Sequence, residues 1–395
     1  MKKNVCLVTG SRAEYGLLRP LIDEIISEAT LTLQLLVTGS HLSPEFGLTF
    51  QEIERDGYEI DEKVEVVMSS DTPIGICKSM GLGLISFSEA YARLQPDLII
   101  VLGDRYEIFS AVSAAHISRI PVAHLHGGEV TEGAFDDALR HSITKMSQYH
   151  FTSTEVYRKR VIQLGENPDR VFNVGAIGLD NISRLELLSK EEFEKSIGLK
   201  LSRHNLLCTF HPVTLEKNSS VQQIQSLLNV LEKLDETNII FTKTNADTDG
   251  RMINQLIDEF VSKDVTRYKS FVSLGQLRYL SAMQYVDAVI GNSSSGIIEA
   301  PSFGIATVNI GNRQKGRIKS ELIIDCEPTE TGIAVALKTL YSPKIEKLLK
   351  NATNPYGDGQ TSARIVKILK KCDVNVTTQK KFYDLDNGLK EANLD

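Results

Sequence analysis

The feature that most constrains the fold is a repeated pairing. A short apolar run closes in a glycine turn, and a helix-forming stretch follows. Asn4 to Thr9 ends in Gly10-Ser11-Arg12, and Leu31 to Val37 ends in Thr38-Gly39-Ser40-His41. Asp97 to Leu102 ends in Gly103-Asp104-Arg105, and Pro121 to Leu125 opens onto Gly127-Gly128. Runs without polar alternation suit strands buried on both faces, which parallel sheets supply. His150 to Thr154 and Val171 to Val174 continue the series. After a charged, helical connector from Leu187 to Ser202 the pattern restarts with Leu206 to Phe210, Asn238 to Thr242, Val286 to Ile290 and Ile305 to Ile310. Two such series predict an α/β protein of two Rossmann-like domains facing each other across a cleft. The expected boundaries are 1–182 and 183–360, with a C-terminal helix and tail, 361–395, packing back on the first domain. Ser69 to Met80, rich in Gly, Ser and Thr, reads as a loop before a helix from Leu82 to Leu94. Thr361 to Lys371 reads as a helix, and the polar end of the chain as loosely held.

At 395 residues the chain can bury two cores. With 42% apolar and 24% charged residues it sits among ordinary globular proteins. A net charge of −7 without a dense basic cluster argues against nucleic acid and anionic membranes as partners. Cys6, Cys77, Cys208, Cys326 and Cys372 are widely spaced and form no CxxC, which suits a reducing compartment and supplies no metal motif. The start, MKKNVCLVTG, lacks a signal-peptide apolar core, and no apolar run nears the ~18 residues of a membrane span. A cytoplasmic location is the expectation.

The chemistry concentrates between Pro121 and His150. Five of the eight histidines lie between His116 and His150. Past the Gly127-Gly128 turn come Glu129, Glu132, Asp136 and Asp137, then Arg140 and His141. A buried core does not need acids, imidazoles and an arginine gathered at a strand end. In open α/β sheets that end is where ligands bind. Asp104 occupies the same kind of position, where it also suits a helix N-cap. His124-Leu125-His126 is an HxH, which metal-dependent hydrolases use. A protein with two Rossmann-like halves does not need such a centre, so neither a metal nor another cofactor is expected.

The second concentration is Gly291 to Gly296, with Ser293, Ser294 and Ser295 between the glycines and Glu299 behind them. Backbone N–H groups and hydroxyls at a turn entering a helix form a phosphate cradle, and an acid one turn on can accept from ribose hydroxyls. The pattern is neither GxGxxG nor a Walker motif, which disfavours a dehydrogenase and a nucleoside triphosphatase. Arg12, at the first strand's end, can fork onto phosphate, and His211 can move a proton or bind a leaving phosphate. Acids in one half and a diphosphate cradle in the other suit bond cleavage at a sugar anomeric carbon.

The stretches TGSRAEYG, VLGDRYEIFS, HLHGGEVTEGAFDDALRHSITKMS, RKRVIQLGENPDRVFNVG, FHPVTLE, GNSSSGIIEAPS and NIGNRQKGR make the chain resemble the hydrolysing UDP-N-acetylglucosamine 2-epimerases of bacterial sialic acid or legionaminic acid synthesis. The resemblance spans nearly the whole length. It implies a glycosyltransferase-B fold, a UDP-sugar substrate and a homodimer or homotetramer. The implied reaction converts UDP-N-acetylglucosamine and water to N-acetylmannosamine and UDP through a 2-acetamidoglucal. It places Asp104, Asp136 and Asp137 at acidic catalytic positions and His211 at the HP position. Arg12, Ser293, Ser294 and Arg313 would hold the diphosphate and Glu299 the ribose. Some relatives carry Glu where this chain has His126, so Glu129 or one of the Asp pair stays open as the C2 base. A UDP-2,4-diacetamido-2,4,6-trideoxyhexose substrate, a non-hydrolysing epimerase and a silent nucleotide-sugar sensor are the alternatives.

Overall fold

The computed structural model describes residues 2–66, 72–130, 136–212, 220–244, 250–374 and 380–385. Glu132, part of the Ser69–Met80 stretch and the end of the FHPVTLE motif lie outside them. The chain divides into two compact units. One runs up to Asn181 and resumes at Tyr356, and the other runs from Ile182 to Pro355.

The first unit is built on seven parallel strands: β1 (Lys3–Thr9), β2 (Leu31–Thr38), β3 (Glu62–Val64), β4 (Leu98–Leu102), β5 (Val122–Leu125), β6 (Tyr149–Thr152) and β7 (Val171–Asn173). Their order is β3-β2-β1-β4-β5-β6-β7. The reason for the apolar runs is visible in β1. Val5 and Leu7 join one core with the Arg12–Ser27 helix, while Cys6 and Val8 join another with the Pro73–Leu94 and Tyr106–Ile117 helices. Both faces are covered, so alternation is lost.

The C-terminal helix, Thr361–Leu369, completes this unit. Ile365, Val366 and Leu369 lie in one core with Leu18, Leu21 and Ile22. Asp180 accepts from the N–H groups of Thr361 (2.8 Å) and Ser362 (2.6 Å), which satisfies donors that a helix start leaves open. Lys3 Nζ donates to the carbonyls of Leu369, Lys370 and Cys372 at the other end.

The second unit holds six parallel strands: β8 (His204–Thr209), β9 (Thr237–Thr242), β10 (Tyr268–Phe271), β11 (Ala288–Gly291), β12 (Ala306–Ile310) and β13 (Ile323–Cys326). Their order is β10-β9-β8-β11-β12-β13. In each sheet the chain order reverses beside the first strand, between β1 and β4 and between β8 and β11. The carboxyl ends at such a reversal are the ligand position of doubly wound folds.

Three expectations need correction. The helix expected from Leu82 starts at Pro73. Thr72 caps it by accepting from Gly75 N–H (3.1 Å), and proline is pre-set for a first turn. Further along the same helix Gly83 allows close packing, since a Cβ there would sit 3.0 Å from Ser110 Cβ. Edge strands β3, β10 and β13 escaped notice because EKV, YKSF and IIDC are polar or mixed. The polar end is held at Lys380, whose ammonium donates to Ser147 O and Glu166, both at 2.6 Å.

Gly291, the last residue of β11, aims the serine turn. Its φ is +130°, and a Cβ there would lie 2.0 Å from Thr209 O. Gly57 has φ +89° and nothing within 4 Å of an added Cβ. Gly291→Ala is expected to cost more than about 3 kcal/mol, and Gly57→Ala only about 1–2 kcal/mol. Urea unfolding midpoints compare the two. Equal losses would mean that the close approach to β8 does not shape the turn.

Candidate active site

At the first sheet's reversal, the turn after β4 carries Asp104 and the turn after β5 carries His126 and Glu129. The Asp136–Met146 helix brings Arg140, which is 6% exposed. Its guanidinium donates to Asp104 and to the His126 carbonyl (3.3 Å), and it lies 3.8 Å from Glu129 Oε2. Burial raises the Asp104 pKa, Arg140 pulls it back, and Glu129 raises it further. The net direction is upward, toward a range useful for proton transfer.

The two histidines of the HxH have separate tasks. His124 is fully buried; its Nε2 donates to Gly103 O (2.8 Å) and its Nδ1 accepts from Thr144 (3.1 Å). Burial holds its pKa down to about 3, so it is neutral. His126 has φ +65°, a region costly for any residue but glycine. Its Nε2 accepts from Ile177 N–H (3.3 Å), which leaves Nδ1 to donate to Glu129 Oε1 (3.0 Å). Ser153 donates to the same Glu129 oxygen (2.7 Å). Neither His126 nitrogen keeps a free lone pair. With all four ring nitrogens engaged, the HxH does not offer ligands to a metal. Among the described residues no group of three or more His, Cys, Asp or Glu side chains is arranged to hold one.

Asp136 opens the helix near Asp104. Burial and then the Asp104 charge raise its pKa, while Arg105 and Arg140 lower it. Among the described residues no hydrogen bond or ion pair engages the Asp136 carboxylate, unlike those of Asp104 and Glu129. Asp137 leans the other way, 3.5 Å from His141 Nε2. Arg12 does not join the acids. Its side chain is 62% exposed and pairs with Glu52 (2.9 Å).

Sequence reasoning missed a second charged group at this reversal. Glu107, 1% exposed, accepts from Arg105 Nε (2.5 Å), with Glu14 3.9 Å from the same nitrogen. Glu14 accepts from Gly10 N–H (2.7 Å). Burial, then Glu107, pushes the Glu14 carboxyl up to about 7. The signal was available, since three charges in Asp104-Arg105-Tyr106-Glu107 follow a buried strand. Only packing tells which of them turn inward.

In the second unit, Asn292 and His211 lock the turns after β11 and β8 together. Asn292 accepts from His211 N–H (2.7 Å) and donates to His211 O (2.8 Å). Arg313 (3.0 Å) and Gln314 (2.9 Å) donate to Asn292 O. Burial and Arg313 hold the His211 imidazole down to about 4. The helix after the serines is only Ser295–Ile298, so the expected helix N-terminus is a single turn and Glu299 caps its far end. Ser293 Oγ accepts weakly from Ser295 N–H (3.4 Å), and Ser294 makes no side-chain cap. Burial pushes Glu299 up to about 7, against the pull of Ser295. Tyr279, also unforeseen, places its buried hydroxyl among Thr209, Ser293 and Ser295.

His124 gives a direct check. An unfolded chain takes up its proton below about pH 6.5, while the native site refuses it down to about 3. The site therefore loses stability as pH falls through that window. Nitrogen NMR of the imidazole is expected to show the neutral Nε2–H tautomer unchanged down to about pH 5. Titration near 6.5 would refute the assignment.

Residues 23–370 match the protein family described as UDP-N-acetylglucosamine 2-epimerase. The chain is 43% identical over 385 residues to the Campylobacter jejuni protein named GDP/UDP-N,N'-diacetylbacillosamine 2-epimerase (hydrolyzing), spanning 97% of this chain and 100% of that one. It is 39% identical over 385 residues to the Escherichia coli polysialic acid biosynthesis protein P7, spanning 97% and 98%. The structure of UDP-GlcNAc 2-epimerase from Neisseria meningitidis bound to UDP-GlcNAc matches with a TM-score of 0.74 at 20% identity, over 93% of this chain and 100% of that one. That likeness speaks for the fold. The match over most of the chain, with relatives this similar from end to end, carries the assignment: the chain belongs to the UDP-N-acetylglucosamine 2-epimerase family.

Proposed function

We propose that this epimerase is of the hydrolysing kind, converting a UDP-linked 2-acetamido sugar and water to the free 2-epimer and UDP. The observation that carries the reading is the partly buried acid group at the first sheet's reversal, Asp104 and Glu129 bridged by Arg140, with Asp136 beside them and not engaged among the described residues. Its similarity to a relative named as hydrolysing supports the same reading.

The C2 proton of such a sugar has no adjacent carbonyl to acidify it. Its loss is coupled to departure of UDP, which leaves a 2-acetamidoglucal, and water then adds across the double bond from the other side. Asp136 is the base we assign to C2, because His126 has no free lone pair and Glu129 is tied by His126 and Ser153. Asp104, held in place by Arg140, steadies the positive charge that develops at the anomeric centre. In the second unit, Ser293, Ser294 and Arg313 receive the diphosphate with His211 beside it, and Glu299 takes the ribose hydroxyls.

UDP-N-acetylglucosamine is the substrate we put first. The 43% identity to the diacetylbacillosamine enzyme favours the 4-acetamido sugar as the second reading. Turnover of both in deuterated water, with the products identified, tests the reading. Free sugar carrying deuterium at C2, together with free UDP, is expected. An intact UDP-sugar would point to the non-hydrolysing reaction, and a retained C2 hydrogen would remove the elimination.

Asp136→Asn is expected to lower turnover at least ~100-fold while UDP still binds. Near-normal turnover would take Asp136 out of the chemistry. Ser294→Ala and Glu299→Ala are each expected to weaken UDP binding by about 1–3 kcal/mol, because a ligand group loses its partner. Calorimetry giving wild-type affinity for both would reduce the serine turn to a structural one.

A further inference from the structure

A group of buried charges remains that the proposed chemistry does not use. Glu166, with a side chain 2% exposed, is the acceptor at its centre. Its Oε1 receives Lys145 Nζ (2.6 Å), and its Oε2 receives His150 Nε2 (3.0 Å) and Lys380 Nζ (2.6 Å). Lys380 comes from the end of the chain. The same ammonium donates to Ser147 O (2.6 Å), just past the end of the Asp136–Met146 helix, and to Thr144 O (3.4 Å) in its last turn, which also accepts from Ser147 N–H (3.1 Å). A cation there satisfies those acceptors and opposes the helix dipole. The segment is also seated beyond Lys380. Tyr383 N–H donates to Gly165 O (3.0 Å), and Lys145 Nζ lies 5.0 Å over the Phe382 ring. Gly165 has φ +85°, and a Cβ there would lie 2.4 Å from Phe382.

The clamped helix is the one that carries Asp136 at its start and Arg140 in its middle. Thr144, whose carbonyl Lys380 touches, also donates its hydroxyl to His124 Nδ1 (3.1 Å). His124 in turn donates to Gly103 O (2.8 Å), directly before Asp104. Lys380 thus touches the backbone of the residue whose hydroxyl, through His124, is tied to the Asp104 turn. We propose that Lys380, anchored on Glu166, is a positioning residue: the C-terminal strap holds the acid-bearing helix in register with the turns after β4 and β5. Its effect on turnover rests on the function proposed above, whereas its effect on the helix does not.

The full-length protein tests this with Lys380→Met. Amide hydrogen exchange over residues 140–147 is expected to speed up ~10-fold or more, with little change across β8 and β11. With UDP-N-acetylglucosamine or its 4-acetamido counterpart, kcat is expected to fall ~10-fold or more while UDP affinity stays at wild type, since small displacements of catalytic groups carry losses of that size. Lys380→Arg, which keeps the charge and the donors, is expected to restore both. Lys145→Met leaves the strap's own lysine and should give the same changes in smaller measure, which keeps the idea testable should Lys380→Met not fold. Wild-type exchange in this helix, or wild-type kcat with only a lower melting temperature, would overturn the proposal. If the wild-type protein turned over neither sugar, the functional reading would fall and the exchange comparison would still decide the clamp.

Discussion

Arg140 is a buried cation set between the carboxylates of Asp104 and Glu129. Burying any one of these charges alone would be prohibitive, and each is tolerable only because the others are there. The arrangement makes the acids available at the sheet's reversal without letting them relax into water. It also explains why His124 beside them is neutral. Another positive charge on His124 would meet Arg140 in a medium that screens poorly, and burial with that repulsion holds the ring unprotonated. His126 spends its one N–H on Glu129, which fixes the carboxylate without adding charge.

The second unit solves its own placement problem with neutral groups. Asn292 joins the ends of β8 and β11 by two hydrogen bonds to the His211 backbone, so the serine turn keeps its place relative to its neighbour strand. Its carbonyl is then taken by Arg313 and Gln314. Behind the serine turn Glu299 is a carboxylate in a poorly solvated place, and its pKa near 7 records what burial costs it.

Much of this was legible in the chain. Apolar runs such as Leu98–Leu102 can only be buried on both faces, and glycine turns after them mark strand ends. Residues that follow such ends, including Asp104, Glu129 and Ser293, were therefore visible as site candidates. Less legible were groups whose role depends on a neighbour distant in sequence. Glu107 and Glu14 read as helix-surface acids until packing turns them inward against Arg105. Lys380 reads as one lysine in a polar tail until Glu166 meets it. The stretch before Leu82 reads as a loop because its small and polar residues hide a helix start, which Thr72 caps by accepting from Gly75 N–H.

The sequence by itself determined the class of fold, two series of strand–glycine–helix repeats, and the family, through motifs too many and too ordered to arise otherwise. Period and punctuation are local properties, so they survive without coordinates. Only the tertiary structure decided the proton and charge arrangement. That His126 has no lone pair to offer, that Asp137 faces His141 while Asp136 stands near Asp104, and that Arg12 pairs outward with Glu52 all follow from distances between remote segments. Electrostatic energies fall with distance and depend on burial, and neither quantity exists until the sheet has brought β1, β4 and β5 side by side.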